Sequence, residues 1–287
     1  MIIAKKIVVK GIVQGVGFRP FIYKNATKNN LKGFVNNTSK GVFIEVEGYE
    51  EDITSFIEEI KHKPPVLSKV TDIKIIDKEI EGYTNFKIIE SKEEEEAITL
   101  LSPDIATCDD CLADISDVNN RRYRYPFTNC TNCGPRFSIT KKVPYDRGNT
   151  TMDVFQMCSE CREEYTEPLN RRFHAQPNGC SKCGPRVFIC DKEGQEITSK
   201  DPIKDIAKEI KNGKIVAIKG IGGFHLACDA KNKEVINELR KRKKRPRKPL
   251  AVMMRDIETV KKYCDVNELE ERILLGNKKP ILLLDKK

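Results

Sequence analysis

Hydrophobic and polar residues follow two different periods in the first ninety residues of the chain. Residues 2 to 10 alternate as in a β-strand, and the stretch from 11 to 19 then leads into a helix whose first turn suits Pro20. Strand-like and helix-like runs continue to alternate up to about residue 90. We therefore predict a first domain over residues 1 to 90 with the element order β-α-β-β-α-β.

From about residue 200 the same kind of pattern returns. It predicts a helix over residues 203 to 210 that stops at Asn212-Gly213, an apolar strand over residues 215 to 218, and a helix over residues 234 to 240. Two further apolar runs indicate strands, of which the second is predicted to be buried: residues 250 to 253 and residues 281 to 284.

The last of these runs lies close to the end of the sequence, and only Asp285-Lys286-Lys287 follows it. A domain that starts near residue 200 would then stop before its sheet is complete. We expect residues 200 to 287 to form an incomplete α/β domain. The chain would be a fragment of a longer protein, or one half of a split one whose second chain supplies the missing C-terminal domains.

Composition places the chain among globular proteins with more than one domain, because its 287 residues are 39% hydrophobic and 33% charged. No apolar run approaches the ~20 residues of a membrane span, and the N-terminus lacks the features of a secretory signal. We therefore expect a cytoplasmic protein with no membrane partner. The net charge is +9, but residues 240 to 248 carry eight of these positive charges and the remainder sums to only +1. This distribution argues against nucleic acid binding along the whole chain.

Four C-x-x-C pairs form a repeat with a period of 50 residues between positions 100 and 190. Each half reads C-x2-C-x18-C-x2-C, a spacing typical of structural Zn²⁺ sites in which four thiolates leave no position for water. We predict a duplicated module over residues 100 to 190 with one structural Zn²⁺ per repeat. The favoured ligands are Cys108, Cys111, Cys130 and Cys133 in repeat 108 to 133, and Cys158, Cys161, Cys180 and Cys183 in repeat 158 to 183.

The sequence leaves the pairing of these cysteines open, because the first pair could also join the fourth and the second pair the third. His174 is interpreted as a polar residue between the repeats rather than a ligand, since both quartets are complete without it. In the first repeat, Arg124 occupies the position equivalent to His174. The charged run over residues 91 to 96 is interpreted as a solvated connector before the module.

Basic and aromatic residues of the repeats indicate a competing class, a zinc-stapled RNA-binding module. A nearby set of acidic residues balances these arginines, so RNA binding is the second hypothesis and we do not expect nucleic acid as the main partner. The basic and aromatic residues of this hypothesis are Arg121, Arg122, Tyr123, Arg124, Tyr125, Arg171, Arg172 and Phe173.

A glycine-rich turn follows the first predicted strand. Its glycines let the backbone curl so that successive N–H groups point inward, and the helix N-terminus adds its positive dipole end. Arg19 at the lip would supply a charged fork for a phosphoryl group. A tight turn with a surface arginine is the plainer alternative. The residues predicted to cradle a phosphate are Gln14, Gly15, Val16, Gly17 and Phe18.

The sequence from Gly11 to Arg19 resembles the G-x-V-Q-G-V-G-F-R signature of acylphosphatases, and residues 33 to 41 resemble the family's second motif, G-W-V-R-N-x-x-x-G. The resemblance covers residues 1 to 90 and implies a ferredoxin-like α+β fold. It also implies that Arg19 binds the phosphate and that Asn37 orients the attacking water. Phe34 and Asn36 replace the family's usual tryptophan and arginine, and residues 37 to 41 also fit a hairpin turn.

The basic run 240 to 248 contains Lys243-Lys244-Arg245-Pro246, which resembles the K-x-R-P motif of YrdC-like domains. In that family the motif lines a nucleotide-phosphate pocket. The resemblance implies that Lys243 and Arg245 bind nucleotide phosphates. A solvated run of lysines is the alternative, although two prolines fix its course.

The three segments in this order resemble the N-terminal part of the HypF carbamoyltransferases, which are maturation factors of nickel–iron hydrogenases. The resemblance implies an α+β multidomain fold and three steps. These are hydrolysis of carbamoyl phosphate by the first domain, adenylation of carbamate with ATP and Mg²⁺ in the completed protein, and transfer of the carbamoyl group by the missing domains to the C-terminal cysteine of a HypE-type partner. The runner-up is a zinc-stapled RNA-binding module in tRNA modification, since YrdC-like domains also serve threonylcarbamoyladenosine synthesis.

Overall fold

The computed structural model describes residues 1 to 91 and 100 to 287. The chain divides into two compact units, Met1–Pro185 and Arg186–Lys287. Most of the charged connector predicted over residues 91 to 96 lies outside the described residues. No helix among the described residues is long and apolar enough to cross a membrane.

The first unit begins with a five-stranded sheet covered by two helices. The predicted β-α-β-β-α-β order is confirmed, and one further short strand, β5, pairs parallel to β2. The other neighbours in the sheet order β4-β1-β3-β2-β5 are antiparallel. The elements are β1 (Ile2–Ile12), α1 (Phe18–Lys28), β2 (Lys32–Thr38), β3 (Gly41–Tyr49), α2 (Glu50–His62), β4 (Lys69–Lys78) and β5 (Phe86–Ile88).

Alternation along the strands explains why this sheet forms. Ile7 and Val9 on β1 point to the helix-covered face and are fully buried, while Val8 between them and Lys6 and Lys10 on either side remain accessible. On α2 the apolar positions Ile53, Phe56 and Ile60 recur with helical spacing and are all buried. Acidic residues fill the first turn of α2 and basic residues the last, as the helix dipole favours.

The cysteine repeats form the rest of the first unit. Each repeat contributes one eight-residue helix, α3 (Asp109–Ser116) and α4 (Ser159–Thr166), and a cysteine stands at each N-cap, Cys108 and Cys158. Buried polar side chains such as Arg122, Asn129 and Asn178, rather than a large apolar core, fill these repeats. The conformation of the two halves is also repeated, since Arg124 and His174 both have positive φ, 57° and 53°.

The second unit contains two small hairpins and four helices among its described residues. The predicted helices around residues 203 to 210 and 234 to 240 are confirmed, and Asn212 caps the first of them. The elements are β6 (Ile189–Cys190), β7 (Glu196–Ile197), α5 (Pro202–Lys211), β8 (Val216–Gly220), β9 (Gly223–Ala227), α6 (Lys233–Arg242), α7 (Ile257–Tyr263) and α8 (Glu268–Leu275).

Two predicted strands of this unit are wrong. Residues 250 to 253 and 281 to 284 have no strand structure, and Met253, Ile281 and Leu283 are 99%, 80% and 82% exposed. A strand needs a neighbour that takes up its N–H and C=O groups. Strands β8 and β9 pair only with each other in the described chain, so neither apolar run has such a neighbour.

Candidate functional site

The glycine-rich loop of the first unit lies between β1 and α1. Gly15 and Gly17 both adopt φ of 74°, a left-handed conformation that suits glycine, and Gly17 is the N-cap of α1. The buried amide of Gln14 ties the loop to the β2–β3 hairpin, because its Nε2 donates to Thr38 O at 2.8 Å and to Gly41 O at 3.0 Å. The loop therefore has a fixed shape beside the first turn of a helix.

Arg19 and Asn37 meet beside this loop at one oxygen atom. Arg19 lies on α1 and Asn37 on β2, and both are buried. Arg19 Nη2 donates to the carbonyl oxygen of Tyr145 at 3.3 Å, and Asn37 Nδ2 donates to the same oxygen at 3.1 Å. The fold thus brings the two predicted site residues to a common point.

The partner of both side chains comes from the cysteine-repeat part of the chain. We call residues 141 to 150, which precede the second repeat, the covering segment. Within it the Tyr145 N–H donates to Gln14 Oε1 at 2.8 Å, and the Asp146 carboxylate forms an ion pair with Arg19 at 2.7 Å, Nη1 to Oδ1. Arg136 makes a further contact between the cysteine-repeat part of the chain and the glycine-rich loop, since its Nε donates to the carbonyl oxygen of Gly15.

His174 lines the cavity at this boundary together with Arg19 and Asn37. Burial, and then the positive charge of Arg19, lower the pKa of His174 to about 3. Its imidazole is therefore neutral at pH 7. His174 belongs to neither cysteine cluster, and it packs against the rings of Tyr165 and Phe173.

The eight paired cysteines form two compact clusters. Within each cluster the four sulfur atoms lie within 4.8 Å of one another, and two neighbouring sulfur pairs in each cluster are 3.7 to 3.8 Å apart. A tetrahedron with metal–sulfur bonds of about 2.3 Å has edges of about 3.8 Å. The clusters are sequential, not crossed: Cys108, Cys111, Cys130 and Cys133 form one, and Cys158, Cys161, Cys180 and Cys183 the other.

Each repeat supplies arginines to the cluster of the other repeat. Arg121 of the first repeat donates to Cys161 Sγ from both terminal nitrogens, at 3.4 and 3.3 Å. Arg171, which stands 50 residues later, donates to Cys111 Sγ at 2.9 Å. We call this reciprocal pair of contacts the arginine exchange. It places positive charge against thiolates that carry negative charge when they hold a metal.

The neighbouring arginines strengthen this exchange. Arg122 is almost fully buried, donates to both carboxylate oxygens of Glu164 at 2.8 and 2.6 Å and donates to Gly179 O at 3.1 Å. Burial raises the pKa of Glu164, but hydrogen bonds from Arg122 and Arg121 outweigh it and lower the pKa to about 2. Arg172 repeats the arrangement with Asp114 and Asn129 O. Four of the five arginines considered for RNA binding, namely Arg121, Arg122, Arg171 and Arg172, thus bind groups within the protein.

The basic run of the second unit is exposed. Lys243 is the C-cap of α6, and Arg245 follows two residues later. Arg240 Nη1 donates to the carbonyl oxygens of Arg245 and Lys248 at 3.1 and 2.9 Å, so the run is folded back toward its own helix. Lys243 and Arg245 therefore lie on one turn of chain and face solvent.

Three family models match the chain in the order of these sites. The acylphosphatase model matches residues 5–88, the HypF finger matches residues 107–140 and 157–190, and the Sua5/YciO/YrdC model, described as telomere recombination, matches residues 208–287. The acylphosphatase of Bacillus subtilis is 44% identical over 30% of this chain and 96% of its own length.

Longer relatives match almost the entire chain. The probable carbamoyltransferase HypF of Methanocaldococcus jannaschii is 53% identical over 98% of this chain and 37% of its own length. A full-length HypF solved in its phosphate- and nucleotide-bound form is 55% identical with a TM-score of 0.94, and the match covers 100% of this chain and 38% of that one. The chain belongs to the HypF carbamoyltransferase family. It spans a little over a third of the length of these HypF relatives.

The sequence predicted the motif residues of this site but not the residues that contact them. Tyr145 and Asp146 lie 108 and 127 positions after Asn37 and Arg19 respectively. Neither belongs to a motif, a periodic run or the 50-residue repeat. One signal was available, since Asp146 is an acidic residue in a stretch that also contains Lys141, Lys142 and Arg147, but it indicates no particular contact.

Proposed function

We propose that the first unit hydrolyses carbamoyl phosphate to carbamate and phosphate at the glycine-rich loop. The observation that carries this proposal is the convergence of Arg19 and Asn37 on a single oxygen beside that loop. An acyl phosphate is already activated, so its hydrolysis needs charge stabilisation and a positioned water more than a strong base. The acylphosphatase match over residues 5–88 supports the assignment.

Each group has a separate task in this reaction. The backbone N–H groups from Gln14 to Phe18 and the guanidinium of Arg19 would hold the phosphoryl oxygens as negative charge develops on them. Asn37 would orient the water, and its Oδ1 is buried without a hydrogen-bond partner among the described residues. The water oxygen bonds to phosphorus as the bond from phosphorus to the carbamoyl oxygen breaks. Carbamate leaves with that electron pair, and the water proton passes to the phosphate product.

Asn37→Ala is expected to lower kcat for carbamoyl phosphate about a hundredfold while KM changes less than threefold, because the amide aims water and carries no charge for the phosphate. Phosphate release from the purified chain measures both constants. Asn36→Ala is the matched control, since Asn36 is equally buried but donates to Glu90 O at 3.3 Å, away from Arg19.

The control should retain wild-type turnover. A kcat for Asn37→Ala within threefold of the wild type would contradict the role given to Asn37. Failure of the wild-type chain to release phosphate from carbamoyl phosphate would contradict the hydrolase proposal itself.

We further propose that the carbamate formed here is adenylated with Mg²⁺-ATP and that its carbamoyl group is passed to the C-terminal cysteine of a HypE-type partner. The Sua5/YciO/YrdC match over residues 208–287 and the nucleotide-bound form of the solved relative support the ATP step. Lys243 and Arg245 would contact the nucleotide phosphates. Carbamate is short-lived in water, which favours carrying out successive steps in one protein.

In a completed protein that carries the whole YrdC-like domain, Arg245→Glu is expected to weaken ATP binding about tenfold or more, because reversal of one charge beside a triphosphate replaces attraction with repulsion. Isothermal titration with Mg²⁺-ATP measures the dissociation constant. Lys192→Glu is the matched control, because Lys192 is an exposed lysine of the same unit outside the basic run. Hydrolysis of carbamoyl phosphate should be unchanged in both variants.

The RNA hypothesis predicts a different result for the same variant. Tight binding of a mixed tRNA pool, lost steeply as salt rises and weakened by Arg245→Glu, would make this run a nucleic acid site. The ATP proposal for the run would then be wrong.

We propose that the two cysteine clusters each hold a structural Zn²⁺ ion. The sulfur spacing fits a tetrahedral zinc site, and four thiolates leave no coordination position for substrate. Bound zinc supplies folding free energy to a module without a large apolar core. The eight cysteines form no disulfide, which suits a reducing compartment, and we therefore propose that the reaction takes place in the cytoplasm.

A further inference from the structure

The covering segment takes up the groups that an acyl phosphate needs. The carbonyl oxygen of Tyr145 accepts hydrogen bonds from both Arg19 and Asn37, which are the two donors assigned to substrate and water. An oxygen at the meeting point of these donors stands where a phosphoryl oxygen or the attacking water would stand. The backbone of the covering segment therefore imitates part of the reacting group.

Asp146 adds a negative charge at the same place. Its carboxylate contacts Arg19 Nη1 at 2.7 Å, while Arg19 Nη2 is bound to the Tyr145 carbonyl oxygen. Both terminal nitrogens of the guanidinium thus have acceptors from the covering segment. The carboxylate neutralises Arg19, and it would repel a phosphoryl dianion bound to the same guanidinium.

The covering segment is held in this position from both sides. The Tyr145 N–H donates to Gln14 Oε1 of the loop. Arg147, the next residue after Asp146, donates to the carbonyl oxygens of Gln176, Asn178 and Phe155 at 2.7 to 2.8 Å. The Asp146 carboxylate therefore lies on Arg19 as part of an ordered boundary between the sheet domain and the cysteine repeats.

We propose that Tyr145 and Asp146 form an internal competing ligand of the acyl-phosphate site. Substrate binds only when the Asp146 carboxylate separates from Arg19 and the Tyr145 carbonyl oxygen separates from Arg19 and Asn37. The same contact helps the inorganic phosphate product to leave, because the covering segment takes its place on Arg19. This inference rests on the proposed hydrolase function.

Removal of the competing charge tests the inference. In Asp146→Asn, which keeps the size of the side chain, the KM for carbamoyl phosphate and the dissociation constant for inorganic phosphate are both expected to fall about tenfold. Steady-state kinetics and isothermal titration with inorganic phosphate measure the two constants. Asp146→Ala should give the same direction of change and guards against an effect peculiar to asparagine.

Asp77→Asn is the matched control. Asp77 lies on β4 of the same unit, its side chain is 87% exposed and it pairs with Lys5, so this variant removes one negative charge without altering Arg19 or the covering segment. Its KM and phosphate affinity should remain within twofold of the wild type. Zinc content and circular dichroism should match the wild type in all three variants.

Two results would overturn the inference in different ways. If the Asp146 variants hydrolyse carbamoyl phosphate but their KM and phosphate dissociation constant are unchanged or raised, Asp146 orients Arg19 instead of competing for it, and the hydrolase proposal stands. If neither the wild type nor the variants hydrolyse carbamoyl phosphate or bind phosphate, the hydrolase proposal itself is wrong.

Discussion

Arg19→Ala is expected to lower kcat/KM for carbamoyl phosphate about a thousandfold. Arg19 and Asn37 donate to a common oxygen, and a buried charged donor contributes most where negative charge develops in the transition state. The substitution also leaves the carboxylate of Asp146 in the site without its partner. That uncompensated charge would repel the phosphoryl group further.

Two companion variants separate loss of charge from loss of geometry. Arg19→Lys keeps the positive charge without the planar fork and should recover only part of the activity. Lys24→Ala removes an exposed positive charge from the same helix and should behave as the wild type. Phosphate release gives the rates, and zinc content with thermal unfolding shows that each variant is folded. Activity of Arg19→Ala within tenfold of the wild type would remove Arg19 from the mechanism.

Cys111→Ser is expected to have the largest effect on stability. Cys111 is fully buried within the first cluster, and a structural zinc site contributes on the order of 10 kcal/mol to folding. We expect the variant to lose the metal of its own cluster and to unfold much of the cysteine-repeat part of the chain. Elemental analysis should fall from two zinc ions per chain to one or fewer.

Cys190→Ser is the control for this experiment, since Cys190 is exposed and lies outside both clusters. It should retain both zinc ions and the thermal stability of the wild type. Full zinc content in Cys111→Ser, or a wild type that purifies folded with less than one zinc per chain, would contradict the structural role of the metal.

The parts of the molecule that sequence predicted well are those fixed by local pattern. Alternation predicted the sheet of residues 1 to 90, and the cysteine spacing predicted both clusters. Apolar runs were less informative, because a strand is defined by its neighbour and residues 250 to 253 and 281 to 284 have none among the described residues. Spacing favoured sequential clusters but also allowed crossed ones, and the folded positions of the sulfur atoms show that the clusters are sequential.

The sequence did not predict the contacts between residues that are far apart in the chain. The 50-residue period identified Arg121 and Arg171 as equivalent, but not that each reaches the cluster of the opposite repeat. The contact of Asp146 with Arg19 joins residues that no shared motif connects. A single sequence contains no information about such pairs unless a motif or a period relates them.

The arginine exchange makes the two halves of the duplication depend on each other. A zinc ion held by four thiolates has a net negative charge. Among the described residues, the arginines that donate to a cluster sulfur atom come from the opposite half. A single repeat cut from the chain would hold its metal without that compensation, so the unit that folds, and that recombination could transfer between proteins, is the pair.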